Sequence, residues 1–160
     1  FMSAKTAPFL PRAELLRITR SNLAVFAEAD VFLMCQTRSQ AVVEDAEILE
    51  LLCHMANRKK AAVSFSIPTE IRKFQRRIEH GGSSPERRLR TMERLKTAGI
   101  FVSAAVSPLM PYSAEFAASL IECASRLHSG VTAFGFRLGH PAARFDRSTP
   151  ISARLKEIGR

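Results

Sequence analysis

The sequence AAVSFSIPTE IRKFQRRIEH GGSSPERRLR TMERLKTAGI FVSAAV, residues 61–106, holds one complete repeat of the chain's architecture. It begins with an apolar run of strand length, Ala61–Ile67, and closes with a second, Ile100–Val106. Between them Ser84-Pro85-Glu86 forms a helix start. A hydroxyl stands at the N-cap, a proline where a backbone N–H has no helical partner, and an acid beside the positive end of the helix dipole. Leu89, Met92 and Leu95 follow at helical spacing, and Gly99 stands where a left-handed residue ends the helix. Apolar strand, amphipathic helix and apolar strand together make a parallel βαβ unit.

Similar signals flank this repeat. Val31–Cys35 and Val131–Leu138 are two further expected strands, and the four runs begin roughly 30 to 40 residues apart. Pro11 opens a first helix with Leu16, Leu23 and Phe26 inward, and Asp45 caps another whose inner face is Ile48, Leu49, Leu52 and Met55. Ser113 precedes Phe116, Leu120, Ile121 and Ala124, and Ser148-Thr149-Pro150 starts a short helix carrying Ile151, Leu155 and Ile158. Strands apolar at nearly every position are covered on both faces, or line a barrel and are covered outside. The expectation is one α/β domain over residues 1–160, a parallel sheet with outer helices.

With 160 residues, 46% of them hydrophobic, the chain can bury a core of that size. No apolar run approaches the ~18 residues of a membrane span, and no basic start followed by an apolar run marks a secretory signal. Cys35, Cys53 and Cys123 lie far apart with no C-x-x-C pair, so neither a zinc site nor a thioredoxin-like pair is signalled. Cys35 and Cys123 have apolar neighbours and read as buried small hydrophobes, and an odd cysteine count fits a reducing, cytoplasmic setting. The four histidines form no ligand spacing, and no G-x-S-x-G, P-loop or H-E-x-x-H pattern occurs. The first residues read as the middle of a strand, so the chain is expected to be the later part of a longer protein.

Net charge is +9, and the stretch 72–96 carries nine Lys/Arg against three Glu, six of those nine charges. Such a balance points to an anionic partner. Between Ile67 and Ser84, Thr69 to His80 forms an extra amphipathic turn or two, with Ile71, Phe74 and Ile78 inward and Arg72, Lys73, Arg76 and Arg77 outward. Ligands of α/β folds bind at the carboxyl ends of strands, where this insert lies. The four basic residues are candidate contacts to the phosphates of a nucleic-acid substrate, which confer affinity without sequence reading. A solvated charged helix face is the competing account. With no Trp and only Tyr112 as tyrosine, stacking platforms are poorly supported.

Short motifs at the strand ends add a resemblance. Thr6-Ala7-Pro8-Phe9-Leu10-Pro11 followed by Ile18-Thr19-Arg20, then Thr37-Arg38-Ser39, then Ser66-Ile67-Pro68-Thr69 occur in order. Glu79-His80-Gly81-Gly82-Ser83-Ser84-Pro85-Glu86-Arg87-Arg88-Leu89, Ala98-Gly99-Ile100 and Ser107-Pro108-Leu109-Met110-Pro111 continue the series. Together, from about Thr6 to Pro111, they resemble the spore photoproduct lyase-like, or DNA repair photolyase-like, group of radical S-adenosylmethionine (radical-SAM) enzymes. Residues 140–160 read as a C-terminal extension.

The resemblance implies a partial TIM-like (β/α) radical-SAM barrel whose N-terminal βα unit is missing from this chain. It implies S-adenosylmethionine and a 4Fe–4S cluster as cofactors, with an electron donor for the cluster as a partner. In the group, three cysteines spaced C-x-x-x-C-x-x-C hold the cluster; this chain has no such motif, so the ligands are expected outside it. By position, Thr37, Arg38, Ser39 and Ser66 are the implied cofactor-binding residues. A cation and hydroxyls suit a carboxylate and a diol, and Arg38 stands where the group has lysine, a change of reach and shape. Glu79 and Arg88 are expected to pair and tie the insert to the next helix, while Pro108 and Pro111 are expected to stop a strand.

Departures from the pattern fall at Ala7, Phe9, Glu14, Glu44 and His80, where the group shows other residues. They fit a different substrate or a decayed paralogue. Beside the enzyme reading stands another of a different class: a non-catalytic basic α/β module that binds nucleic acid or phosphorylated ligands.

Overall fold

The computed structural model describes residues 2, 8–68, 72, 75, 76, 79, 82–109, 122 and 130–135, of which 106–109 and 130–135 by backbone alone. The elements are α1 (Ala13–Glu28), β1 (Leu33–Thr37), α2 (Ala41–Glu44), α3 (Ala46–Asn57), β2 (Ala61–Ser66), α4 (Pro85–Thr97), β3 (Phe101–Leu109) and β4 (Gly130–Gly135). The expected helix at Ser113, the helix at Ser148, the strand residues 136–138 and Cys123 lie outside the described residues.

The four strands pair in the order β1-β2-β3-β4, every pair parallel. Neighbours in space are neighbours in sequence, and among the described residues α3 and α4 lie in the β1–β2 and β2–β3 connections. This is the progression of a barrel wall. A doubly wound sheet would reverse its strand order at a switch point.

Alternation along the strands separates the two faces. Leu33 and Cys35 of β1, Ala61, Val63 and Phe65 of β2, and Val102 and Ala104 of β3 join one buried cluster. Leu23 and Ala27 of α1, Ile48, Leu52 and Met55 of α3, and Met92 and Leu95 of α4 complete it. Cys35 is wholly buried there, and burial pushes its thiol up to about 12.

Local signals set the helix ends. Asp45 accepts a hydrogen bond from the Ile48 N–H (3.2 Å) and Ser84 accepts one from the Arg87 N–H (3.3 Å). Helices α1, α3 and α4 are each followed by a left-handed residue: Asp30 (φ 52°), Lys59 (φ 58°) and Gly99 (φ 80°). At the foot of the sheet Asp30 is paired with Arg58 and, at 3.7 Å, with Lys60, joining two of these turns.

Three expectations shift. Helix α1 starts at Ala13 rather than Pro11, and Arg12 at its N-cap supplies no side-chain hydrogen bond. Strand β1 starts at Leu33 rather than Val31, because Asp30 turns the chain and leaves Val31 and Phe32 exposed. Strand β3 runs through Pro108 to Leu109, where a register shift between Val106 and Leu109 accommodates a residue without an N–H. The edge of β1 is also partly covered: Met2 bridges to Cys35, its N–H donating to Met34 O (2.8 Å) and its carbonyl accepting from Gln36 N (3.1 Å).

Asp45 joins the cap to the α1–α3 contact, since Arg20 Nη2 lies 2.7 Å from its carboxylate. The Arg20 hydrogen bond holds the Asp45 carboxyl below its ordinary value. Its stabilisation is complete above the unfolded carboxyl value of about 3.9 and is lost as pH falls through the lower folded value. Asp45→Ala is expected to cost about 1–2 kcal/mol at pH 7 and to flatten the acid limb of stability. Urea midpoints from pH 7 to 3 test this, and parallel curves for the two proteins would contradict it.

Candidate functional site

The candidate site is built at the carboxyl end of the sheet, around one buried cation. Arg88 sits one turn into α4, where its side chain is 1% exposed and must find partners for its charge. Its Nε donates to Ser83 O (3.0 Å), its Nη1 to Ser66 O (2.6 Å), and its Nη2 to the Glu79 carboxylate, with which it forms an ion pair. One guanidinium thus holds the end of β2, the insert and the turn into α4.

Glu79 passes the connection on. Its other oxygen lies 3.3 Å from Arg38 Nη1, beyond the end of β1. Gln75, itself buried, donates weakly to Glu79 and to Gly82 O, both at 3.4 Å. Ser83 Oγ donates to Arg38 O (2.6 Å), a second tie between the insert and β1. Gly82 lies so near that an added Cβ would stand 2.8 Å from Arg88 Nη2.

These contacts place the sequence-derived candidates as follows. Arg38 and Ser66 end neighbouring strands, linked through Glu79 and Arg88. The Arg38 side chain is 59% exposed, free to reach a ligand while leaning on Glu79. Ser66 is 6% exposed, and no hydrogen bond engages its hydroxyl among the described residues. Thr37 and Ser39 have local work: the Thr37 hydroxyl accepts from Ser39 N (3.0 Å) and the Ser39 hydroxyl from Ala41 N (3.2 Å). They shape the turn that carries Arg38 into α2. Arg72 and Arg76 are exposed and helical; Lys73 and Arg77 lie outside the described residues.

Sequence reasoning missed the face of the sheet turned from the helices. From the amino end upward it runs Met34–Ala62–Phe101, then Gln36–Ser64–Ser103, then Ser66–Ala105. Ser64 (8% exposed) and Ser103 (6%) have hydroxyls without a hydrogen bond among the described residues. Polarity on this face is therefore concentrated in the middle row, with Ser66 above it. Alternation of Ser64 and Ser66 within β2 was the available signal.

Phe9, one of the departures from the group's pattern, is a fully buried core residue. The loop before α1 is held by the Thr19 hydroxyl donating to Pro8 O. Glu14 and Glu44 are exposed, and His80 lies outside the described residues.

The cofactor chemistry divides into what these residues fit and what they do not. An exposed guanidinium past the end of β1, with a buried hydroxyl at the end of β2 that has no hydrogen bond among the described residues, fits a carboxylate and another polar group of S-adenosylmethionine. A 4Fe–4S cluster finds no ligands among the described residues, which hold no group of three His, Cys, Asp or Glu suited to a metal. Cys35 faces the helices, and Cys53 donates to Ala98 O (3.6 Å).

No protein-family model matches the chain, and no curated protein matches it. Solved structures do. Spore photoproduct lyase complexed with dinucleoside spore photoproduct matches with a TM-score of 0.62 and 20% identity over 83% of this chain and 39% of that one. A double mutant of the lyase with bound AdoMet and dinucleoside spore photoproduct gives 0.67 and 20% identity over 98% of this chain and 45% of that one. SuiB of Streptococcus suis bound to S-adenosylmethionine gives 0.60 and 15% identity over 88% and 30%. The chain has the radical-SAM fold. It spans less than half the length of each of these radical-SAM structures.

Removing one partner of a buried ion pair strands the other charge. Arg88→Met should cost about 3–5 kcal/mol, and replacing both partners, Glu79→Met with Arg88→Met, should cost less than Arg88→Met alone. Chemical denaturation of the two variants measures this; an Arg88→Met protein as stable as the parent contradicts it.

Proposed function

We propose that this chain supplies the cofactor-facing wall of a radical-SAM enzyme of spore photoproduct lyase type, with Arg38 and Ser66 as its contacts to S-adenosylmethionine. The carrying observation is their juxtaposition: a half-exposed cation and a buried, unengaged hydroxyl at adjacent strand ends, held in place through Glu79 and Arg88. The likeness in fold to structures with bound S-adenosylmethionine supports the reading. Arg38 would take the cofactor carboxylate with its planar guanidinium, and Ser66 would donate to a neighbouring polar group. Thr37 and Ser39 would belong to the site as the turn that aims Arg38.

The cluster ligands belong to residues outside this chain in this proposal, as does the electron donor that reduces it. Bound at Arg38 and Ser66 beside a cluster held outside this chain, S-adenosylmethionine would supply hydrogen-abstraction chemistry. This chain's own part is to bind and orient, and to keep the inner wall polar where a substrate meets it. A nucleic-acid substrate fits the basic insert, with Arg72, Lys73, Arg76 and Arg77 as its proposed contacts.

Titration of S-adenosylmethionine into the full-length protein tests the assignment. Arg38→Ala and Ser66→Ala should each weaken binding roughly 10-fold, about 1.4 kcal/mol, with Arg38→Lys intermediate. Unchanged affinity in both alanine variants overturns it.

A further inference from the structure

Arg38 is restrained at both of its ends. Its side chain is 59% exposed, and a long cation in solvent samples many rotamers that binding must freeze out. At the tip, Glu79 Oε1 lies 3.3 Å from Nη1. At the backbone, Ser83 Oγ donates to the Arg38 carbonyl (2.6 Å). Both restraints come from the connection between β2 and α4, four residues apart.

The buried network around Arg88 does not require either contact. Arg88 Nη2 pairs with the other Glu79 oxygen, Oε2, and Arg88 Nε takes the Ser83 carbonyl, not its hydroxyl. The second carboxylate oxygen and the hydroxyl are therefore in surplus, and both are directed at residue 38. Their own positions are fixed. Glu79 is 8% exposed, and its N–H donates to Gln75 O (2.8 Å). Gly82 lets these groups converge, because an added Cβ would stand 2.8 Å from Arg88 Nη2 and 3.4 Å from Glu79 Oε2.

A carboxylate beside Arg38 could either aim it or compete with a ligand for it. Two observations favour aiming. Arg88 already balances the Glu79 charge, which weakens the pull of Glu79 on a second cation. The Arg38 contact at 3.3 Å is also longer than the roughly 2.7–2.9 Å of a tight charge-assisted hydrogen bond.

We propose that Glu79 and Ser83 are positioning residues for a carboxylate bound at Arg38: they set its affinity by holding Arg38 in one orientation and touch no ligand themselves. The proposal rests on Arg38 as the carboxylate contact and adds that its affinity is set from the β2–α4 connection. The effect is confined to ligands that carry a carboxylate. It also gives the Glu79–Arg88 pair a consequence for binding that is separate from its effect on stability.

Equilibrium titration of the full-length protein with two ligands tests it. S-adenosylmethionine carries the carboxylate; 5′-methylthioadenosine is the same nucleoside without the arm that bears it. Immobilising one long side chain predicts a loss of S-adenosylmethionine affinity of roughly 5-fold for Glu79→Gln and roughly 3-fold for Ser83→Ala. In an Arg38→Ala background both changes should have no further effect, since they act only through Arg38. Affinity for 5′-methylthioadenosine should not move in any of these proteins. Glu79→Gln removes the counter-charge of a buried cation; if it folds poorly, Ser83→Ala carries the test alone, because the backbone contacts of Arg88 stay in place.

Tighter binding after Glu79→Gln, the signature of competition, overturns the proposal. Equal losses with and without Arg38, or an equal loss for 5′-methylthioadenosine, also overturn it, since a general disturbance of the fold acts in that way. Unchanged S-adenosylmethionine affinity in Arg38→Ala alone overturns the contact assignment itself. A loss there with none in Glu79→Gln or Ser83→Ala overturns only the positioning role.

Discussion

A guanidinium with almost no solvent contact organises the carboxyl end of this sheet. Arg88 cannot leave its partners without exposing a bare charge to a protein interior, so the groups it binds are fixed relative to one another. Those groups come from three places: a carbonyl at the end of β2, a carboxylate in the insert, and a carbonyl before α4. Gly82 is part of the same constraint, because a side chain there would occupy the space of Nη2. Buried ion pairs contribute little net stability compared with apolar packing of the same volume. Their effect is specificity, and here it fixes where a long βα connection lies over the strand ends.

The two faces of the sheet divide stability from chemistry. Leu33, Val63, Phe65 and Val102 meet the helices in an apolar core, where Cys35 is one more small hydrophobe. On the other face a middle row of Gln36, Ser64 and Ser103 leads up to Ser66. The opposite end of the sheet carries Asp30 with Arg58 and Lys60, a contact between αβ turns. Barrel-type folds repeat this arrangement, with stabilising contacts at the amino ends of strands and reactive groups at the carboxyl ends.

Much of this was legible in the sequence because capping is local. Asp45, Ser84 and Gly99 act on residues two to four positions away, so their roles survive without knowledge of tertiary contacts. Strand limits depend on partners instead. Val31 and Phe32 look like strand residues, yet β1 begins where Leu33 can pair with Ala61. Pro108 looks like a stop, yet a register shift lets β3 continue. Charge was hardest to read. Arg87, Arg88 and Arg90 are alike in sequence, but α4 buries Arg88 and leaves the other two exposed. Phe9 went the other way, a departure from the group's pattern that packs in the core.

Arg38, just beyond the end of β1, shows how the choice of cation matters to the network around it. A lysine ammonium is a point charge on a flexible stem, and one carboxylate within reach satisfies much of it. A guanidinium spreads its charge over a plane with donors on more than one edge. In this chain Arg38 Nη1 lies 3.3 Å from Glu79, and the side chain keeps 59% of its surface in solvent. Arginine can therefore remain tethered to the Glu79–Arg88 pair while it offers a second edge to an incoming anion. Because Glu79 is already neutralised by Arg88, drawing Arg38 toward a ligand would not strand a buried carboxylate. The network thus leaves Arg38 exposed and able to move where Arg88 is buried and fixed.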